Sequence, residues 1–309
     1  MATVVFVGCT GGMGSILFRK VNDSAATFLS QPIRQLICID YFRDEAAQRA
    51  LKASCSPSIA RVDTFHWDAS VLSSTKTVTD QIGVAIGQHG SIHHVILTTG
   101  MGFHGRLEDM DVEGSHATLS KLMNVNAIGP SLLLQFCAKR MPQSQQKQHT
   151  SSSSSSKPQA AAPTMLVLSS YSGLIGLPHR AAYCASKFAL NGYLEGIAAE
   201  YPAIRYVIIC PTSVATNFRD NWKKQLHSSD QKQQAPPAVE VNEAQLTVEQ
   251  CVDGIWNALT KQPHPKSPGV HYVILPGGKT EVAYVGVRMP WGIGNAVRQR
   301  VYRQASAKL

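Results

Sequence analysis

Hydrophobic and polar positions alternate in blocks along this 309-residue chain. Short runs rich in β-branched and aliphatic residues recur at 3–7, 35–39, 61–66, 93–97, 165–168, 206–210 and 272–275. Runs this short, closed off by polar or turn-forming residues, have the length of strands rather than helices. Longer helix-compatible stretches lie between them. Strands alternating with helices over the whole length predict an α/β fold, a Rossmann-type doubly wound parallel sheet with helices on both faces. One such domain is expected over 1–278, with no second core.

Two segments interrupt the alternation. Residues 142–163 are dominated by Ser, Gln, Ala and Pro, including six consecutive serines. They cannot bury apolar surface and are expected to be a disordered insertion. Residues 217–246 are polar, with Q-K-Q-Q-A-P-P in their middle. They follow the sixth strand, at the end of the sheet where α/β proteins bind ligands, and read as a substrate loop.

Composition narrows the class. A hydrophobic content of 44% supports a sizeable core. The seven cysteines are odd in number and form no C-x-x-C pair, so neither a disulfide framework nor a metal site is expected. The first apolar run is too short for a leader peptide, and no stretch is apolar enough to span a bilayer. The formal charge is +9, and residues 279–309 hold six Lys or Arg against one Glu. This basic C-terminal extension can meet an anionic membrane surface, an acidic partner or a phosphorylated substrate. Its Trp291, Ile293, Val297 and Val301 alternate with arginines, which also suits packing on the protein's own core. Nucleic acid is not expected, because basic and aromatic residues are not interleaved in any binding module.

The first strand runs into G-C-T-G-G-M-G at 8–14 and then into a helical stretch. Gly8, Gly12 and Gly14, with Met13 between the last two, allow a tight turn and close approach to a pyrophosphate. The helix N-terminus adds N–H groups and partial positive charge. Asp40 ends the second strand, where a carboxylate binds adenosine ribose hydroxyls and repels a 2′-phosphate, so NAD is favoured over NADP. Arg43, close by, pulls the other way. Asp68, after the third strand, is placed to reach an adenine amino group or to cap the next helix. Thr98, Thr99 and Gly100, after the fourth strand, would line the cofactor.

Tyr183 and Lys187 stand four apart in Y-C-A-S-K, one turn apart on one helix face. An ammonium near a phenol eases its ionisation, and a Tyr so tuned can exchange a proton with a carbonyl or alcohol. Ser170, in S-S-Y-S-G, can hold the same substrate oxygen.

Together these motifs resemble the short-chain dehydrogenase/reductase family over nearly the whole chain, 3–278. M-N-V-N-A-I-G at 123–129 is similar to the family's Asn motif, with Asn126 at the active-site position. Ser170 precedes Tyr183 by thirteen residues, as in the family. P-T-S-V-A-T at 211–216 resembles the turn beside the nicotinamide, which implies cofactor contacts for Pro211 and Thr216. The resemblance implies that Tyr183 is the general acid or base and that Lys187 lowers its pKa and binds the nicotinamide ribose. It also implies that Ser170 orients the substrate oxygen and that Asn126 holds a water leading to Lys187. The chain departs from the family at Val7, Thr98 and Thr212, where Thr, Asn and Gly are usual.

The expectation is therefore an NAD(P)-dependent oxidoreductase interconverting a ketone or aldehyde and an alcohol on an apolar or lipid-like small molecule. The family further implies a homo-oligomer. Ala307-Lys308-Leu309 resembles a peroxisomal signal, which suggests lipid metabolism in that organelle, with the cytoplasm as the alternative. A peroxisomal acyl-CoA or acyl-lipid reductase and a non-catalytic dinucleotide sensor or scaffold are the rival readings.

Overall fold

The computed structural model describes residues 1–143, 162–215, 246–260 and 270–277. In chain order its elements are β1 (Ala2–Val7), α1 (Gly12–Asp23), β2 (Ile33–Asp40), α2 (Glu45–Ala53), β3 (Arg61–His66), α3 (Leu72–Ile86), β4 (His94–Leu97), α4 (Val112–Met123), α5 (Gly129–Ala138), β5 (Thr164–Leu168), α6 (Ala181–Glu200), β6 (Arg205–Pro211), α7 (Val248–Thr260) and β7 (Val270–Leu275). Each predicted strand forms within two residues of its expected bounds.

The seven strands make one parallel sheet in the order β3-β2-β1-β4-β5-β6-β7. Alternation along β1 supplies both faces, as the period of two requires. Val5 and Val7 join Ile37 and Ile39 of β2 in a core roofed by α3, α5 and α6, including Val78, Ile82, Leu133, Leu190 and Leu194. Val4 and Phe6 join Leu36 and Cys38 in a second core, under Leu17, Phe18 and Val21 of α1 and Val252 and Ile255 of α7. Burial on both faces explains why these strands read as continuous apolar runs.

The strand order reverses between β1 and β4, which opens a crevice beyond their C-terminal ends. The glycine turn, the loop after β4 and the end of β5 all meet there.

Leu246, the last residue of the expected substrate loop, forms a parallel bridge with Val214. The Ala215 N–H donates to the Leu246 carbonyl at 3.0 Å, and the Leu246 N–H donates to the Ser213 carbonyl at 3.0 Å. The rest of that loop, Thr216, the interior of the Ser-rich insertion, the boundary at 278 and the basic extension lie outside the described residues.

Candidate active site

Gly8 ends β1 with φ +88°, a left-handed conformation that costs a residue without a Cβ very little. Gly14 opens the first turn of α1, and a Cβ there would stand 1.9 Å from the Gly8 carbonyl oxygen. The turn folds back on itself so tightly that only glycine fits at position 14.

Thr98 holds this turn from below. Its hydroxyl lies 3.0 Å from the Val7 carbonyl and 2.9 Å from the Gly8 carbonyl and donates toward both. The sequence placed Thr98 along the cofactor, but its hydroxyl is committed to stitching the end of β4 to the turn. Its neighbour faces a different fate: the Thr99 hydroxyl is buried with no hydrogen-bond partner among the described residues. A buried hydroxyl left unpaired is costly, and such groups are commonly completed by a ligand or water.

Asp40 is 9% exposed at the end of β2. One carboxylate oxygen accepts from the Thr10 N–H at 2.7 Å and the Thr10 hydroxyl at 2.8 Å, and the other accepts from the Tyr41 N–H at 2.8 Å. Asp68 accepts from the Ser70 N–H at 2.8 Å and the Ser70 hydroxyl at 2.6 Å, a local turn leading into α3. Of the two roles the sequence left open for Asp68, shaping the start of that helix is the one its contacts display.

Asn126 sits in a widened π-type turn, Asn124–Ile128, that joins α4 to α5. Both ends of its side chain are engaged. The oxygen accepts from the Met101 N–H at 2.7 Å, and the nitrogen donates to the Met101 carbonyl at 2.8 Å and to Ser186 Oγ at 3.0 Å. Asn126 therefore clamps the loop after β4 onto α6. Gly100 lies in that loop, and a Cβ on it would stand 3.2 Å from Lys187 Nζ and 3.4 Å from Asn126 Oδ1. The missing side chain lets the loop pack closely against Lys187 and Asn126.

Tyr183 and Lys187 occupy the first turns of α6 and are 7% and 2% exposed. The Ser170 hydroxyl caps the short turn 171–173 by accepting from the Ser172 N–H at 3.1 Å, and it hydrogen-bonds the Tyr183 phenol. Lys187 Nζ donates to the Leu168 carbonyl at 3.3 Å. Burial pushes the Tyr183 phenol up to about 12, offset first by the Ser170 hydrogen bond and then by the positive charge of Arg180. Burial pushes Lys187 down to about 8. The sequence assigned the easing of Tyr183 ionisation to Lys187. In the structure Ser170 and Arg180 are the groups that ease it, and desolvation outweighs both.

Three residues that the sequence did not single out complete the site. Arg180 lies three positions before Tyr183, one helical turn away, a spacing that could have exposed it. Ser186 donates to the Tyr183 carbonyl at 2.8 Å while accepting from Asn126. Asn191 accepts from the Ser169 hydroxyl at 2.7 Å and donates to the Gly173 carbonyl at 2.9 Å, which supports the Ser170 turn from behind. Pro211 closes β6 on the same side of the sheet.

The residues present fit a dinucleotide. The turn offers backbone N–H groups at a helix start, Asp40 stands at the end of β2, and the orphan Thr99 hydroxyl lies beside the turn.

Comparison with known proteins agrees with this geometry. The chain is 29% identical over 168 residues to a 3-ketodihydrosphingosine reductase of Bacteroides thetaiotaomicron, a match covering 54% of each protein. It is 27% identical over 196 residues to human 17-beta-hydroxysteroid dehydrogenase type 1, covering 63% of this chain and 51% of that protein. The chain thus spans about half the length of these curated relatives. A solved short chain dehydrogenase from Burkholderia cenocepacia, in complex with NADP, superposes with a TM-score of 0.62 at 17% identity, covering 97% of both chains. At that identity it shows a shared fold. The family model for short chain dehydrogenases matches residues 2–227, and the chain belongs to that family.

Proposed function

We propose that the protein is an NAD(P)-dependent oxidoreductase that interconverts a ketone or aldehyde and an alcohol on an apolar or lipid-like molecule. The observation that carries this reading is the hydrogen bond between Ser170 and Tyr183, one helical turn from the buried ammonium of Lys187. A pure binder has no use for a proton-transfer group held in that way.

The glycine turn at 8–14, Asp40 and Thr99 would hold the dinucleotide, with Lys187 packed behind Gly100. The nicotinamide, when bound, supplies or accepts the hydride. Tyr183 donates its proton to the carbonyl oxygen in reduction and takes a proton from the hydroxyl in oxidation. Ser170 hydrogen-bonds the same oxygen and stabilises charge developing on it. Lys187, at about 8, carries its proton at neutral pH and places positive charge at the site. The Asn126 clamp keeps the loop after β4 fixed against α6 and so holds Gly100 and Lys187 in register.

The names of the sphingoid-base and steroid relatives support a hydrophobic carbonyl or alcohol as substrate. Asp40 supports NAD over NADP. The test is a panel of long-chain ketones, secondary alcohols and steroids with both coenzymes, run on the native chain and on Tyr183→Phe. Tyr183→Phe is expected to lose about 10²- to 10⁴-fold in turnover while still binding dinucleotide. Full turnover by that variant would overturn the proton-transfer role. Dinucleotide binding without turnover across the panel would favour a non-catalytic binder.

A further inference from the structure

Beside Tyr183 the loop after β4 meets the turn that leads into α6. The loop leaves the site at Gly100, where a Cβ would stand 3.2 Å from Lys187 Nζ. Further along, the Gly105 N–H donates to the His179 carbonyl at 2.9 Å. That bond brings His104 against His179, with ring centroids 5.6 Å apart and planes tilted by 34°. The chain from Gly100 to His104 reaches at most about 14 Å when fully extended, so the imidazole pair stands close to the mouth of the proton-transfer site.

The turn before α6 is strained and basic. His179 holds φ +58°, in the left-handed region that a residue with a side chain rarely adopts. Such outliers collect at ligand clamps, where the surroundings over-determine them. Here the Gly105 bond fixes the His179 carbonyl, and the Arg180 N–H donates to the Leu177 carbonyl at 3.3 Å to close the turn. Arg180 then stands directly before the first turn of α6. It is only partly open to solvent, and its guanidinium makes no hydrogen bond or ion pair among the described residues. A charge partly withdrawn from water without a counter-charge is costly. Arg106, on the facing loop, is paired differently, with Glu108 at 3.0 Å.

We propose that His104, His179 and Arg180 form a subsite for an acidic group on the substrate, a carboxylate or a phosphate, so that the molecule turned over at Tyr183 is an anionic amphiphile. The inference rests on the proposed function and names the class of substrate for that same site. A guanidinium offers two parallel N–H donors that match a carboxylate or phosphate, and each imidazole adds at least one more. The acidic group docks where the two loops meet, and the apolar body runs inward from there toward Ser170 and Tyr183. The strained backbone at His179 keeps its imidazole beside that of His104.

The test is equilibrium binding to the full chain, measured by calorimetry with decanoate, decyl phosphate and decanol, which share one alkyl chain and differ in charge. At least one of the two anions is expected to bind about tenfold more tightly than decanol. The ranking of decanoate against decyl phosphate tells which acid the subsite takes. His179→Asn, whose side chain tolerates a left-handed backbone, should erase most of the preference for anions and leave decanol affinity unchanged. His104→Ala should do the same without touching the strained position. Equal binding of all three ligands overturns the proposal. So does a preference that survives both variants, because the anion would then sit elsewhere on this basic chain. The readout needs no turnover, so it stands apart from the oxidoreductase reading. Full turnover by Tyr183→Phe would sink that reading and leave the binding preference in place.

Discussion

Thr10 and Asp40 clasp the glycine turn to the end of β2, with the Thr10 amide at 2.7 Å and its hydroxyl at 2.8 Å both donating to one carboxylate oxygen. The second oxygen already accepts from the Tyr41 N–H. A carboxylate has about four acceptor sites, so roughly one remains for a ribose hydroxyl. In the proposed coenzyme site, turn geometry and coenzyme choice would hang on the same side chain.

Asp40→Asn should separate these two roles from Thr10. It removes the charge that repels a 2′-phosphate and replaces one acceptor by a donor. NAD affinity is expected to fall by about tenfold, the equivalent of one lost charge-assisted hydrogen bond, with a smaller change for NADP. Thr10→Val should cost about 1 kcal/mol of stability and leave the NAD-to-NADP affinity ratio unchanged. Titration of both variants with both dinucleotides decides the matter. An unaltered ratio in Asp40→Asn would remove Asp40 from coenzyme selection.

The Ser170 turn offers a steric test. A Cβ on Gly173 would lie 2.7 Å from Asn191 Nδ2, 3.0 Å from Ser169 Oγ and 3.1 Å from Lys187 Cβ. Neither Asn191 nor Ser169 can give way without disturbing the Ser169–Asn191–Gly173 hydrogen bonds. Gly173→Ala should cost about 1–3 kcal/mol and lower turnover with it. Thermal unfolding beside the kinetics will show this, and a variant as stable and active as the parent would mean that the turn is looser than its contacts indicate.

Much of the frame was legible in the sequence because parallel strands buried on both faces must be written as apolar runs, as β1, β4, β5 and β6 are, whereas the edge strand β3 mixes Arg61, Asp63 and His66 with its apolar residues. The glycine turn and the Tyr183–Lys187 spacing were legible because local geometry fixes them within a few residues. What escaped depends on partners far away in the chain. The bonds of the Thr98 hydroxyl to Val7 and Gly8, ninety residues upstream, cannot be read from the sequence. The widened turn at Asn124–Ile128 leaves no trace in the periodicity. The burial of the Tyr183 phenol is likewise invisible in the sequence, which displays neighbours in the chain but not desolvation.

Arg180 gives a prediction in pH. Its charge favours the ionised form of Tyr183, so removing it should raise the phenol's pKa further. In alcohol oxidation, where Tyr183 would act as base under the proposed function, Arg180→Gln should move the alkaline rise of kcat/KM to higher pH. A reduction in rate of about tenfold near neutral pH accompanies a shift of one pKa unit. Arg180→Lys should restore most of both. Coincident pH profiles for Arg180→Gln and the native enzyme would show that Arg180 does not act on the phenol.

At the opposite end of the sheet, His94 links stability to pH. It is fully buried at the start of β4, with its ring edge-on to Phe28 and one ring nitrogen 3.1 Å from Gln31 Nε2. Its other ring nitrogen has no partner among the described residues. Burial pushes its pKa down to about 3, helped by the charges of His93 and Arg205. In the unfolded chain the imidazole takes up a proton near its ordinary 6.5, whereas the folded chain refuses it until about 3. Between those values the unfolded state binds more protons, so stability falls as pH is lowered through that window. The full effect is on the order of 5 kcal/mol. His94→Gln cannot titrate and keeps a polar group facing Gln31. It should lower stability at neutral pH, because the contact with Phe28 is lost, yet flatten the decline on acidification. Urea unfolding from about pH 8 to about pH 4 measures both, and parallel curves for the two proteins would rule out His94 as the source of the acid limb.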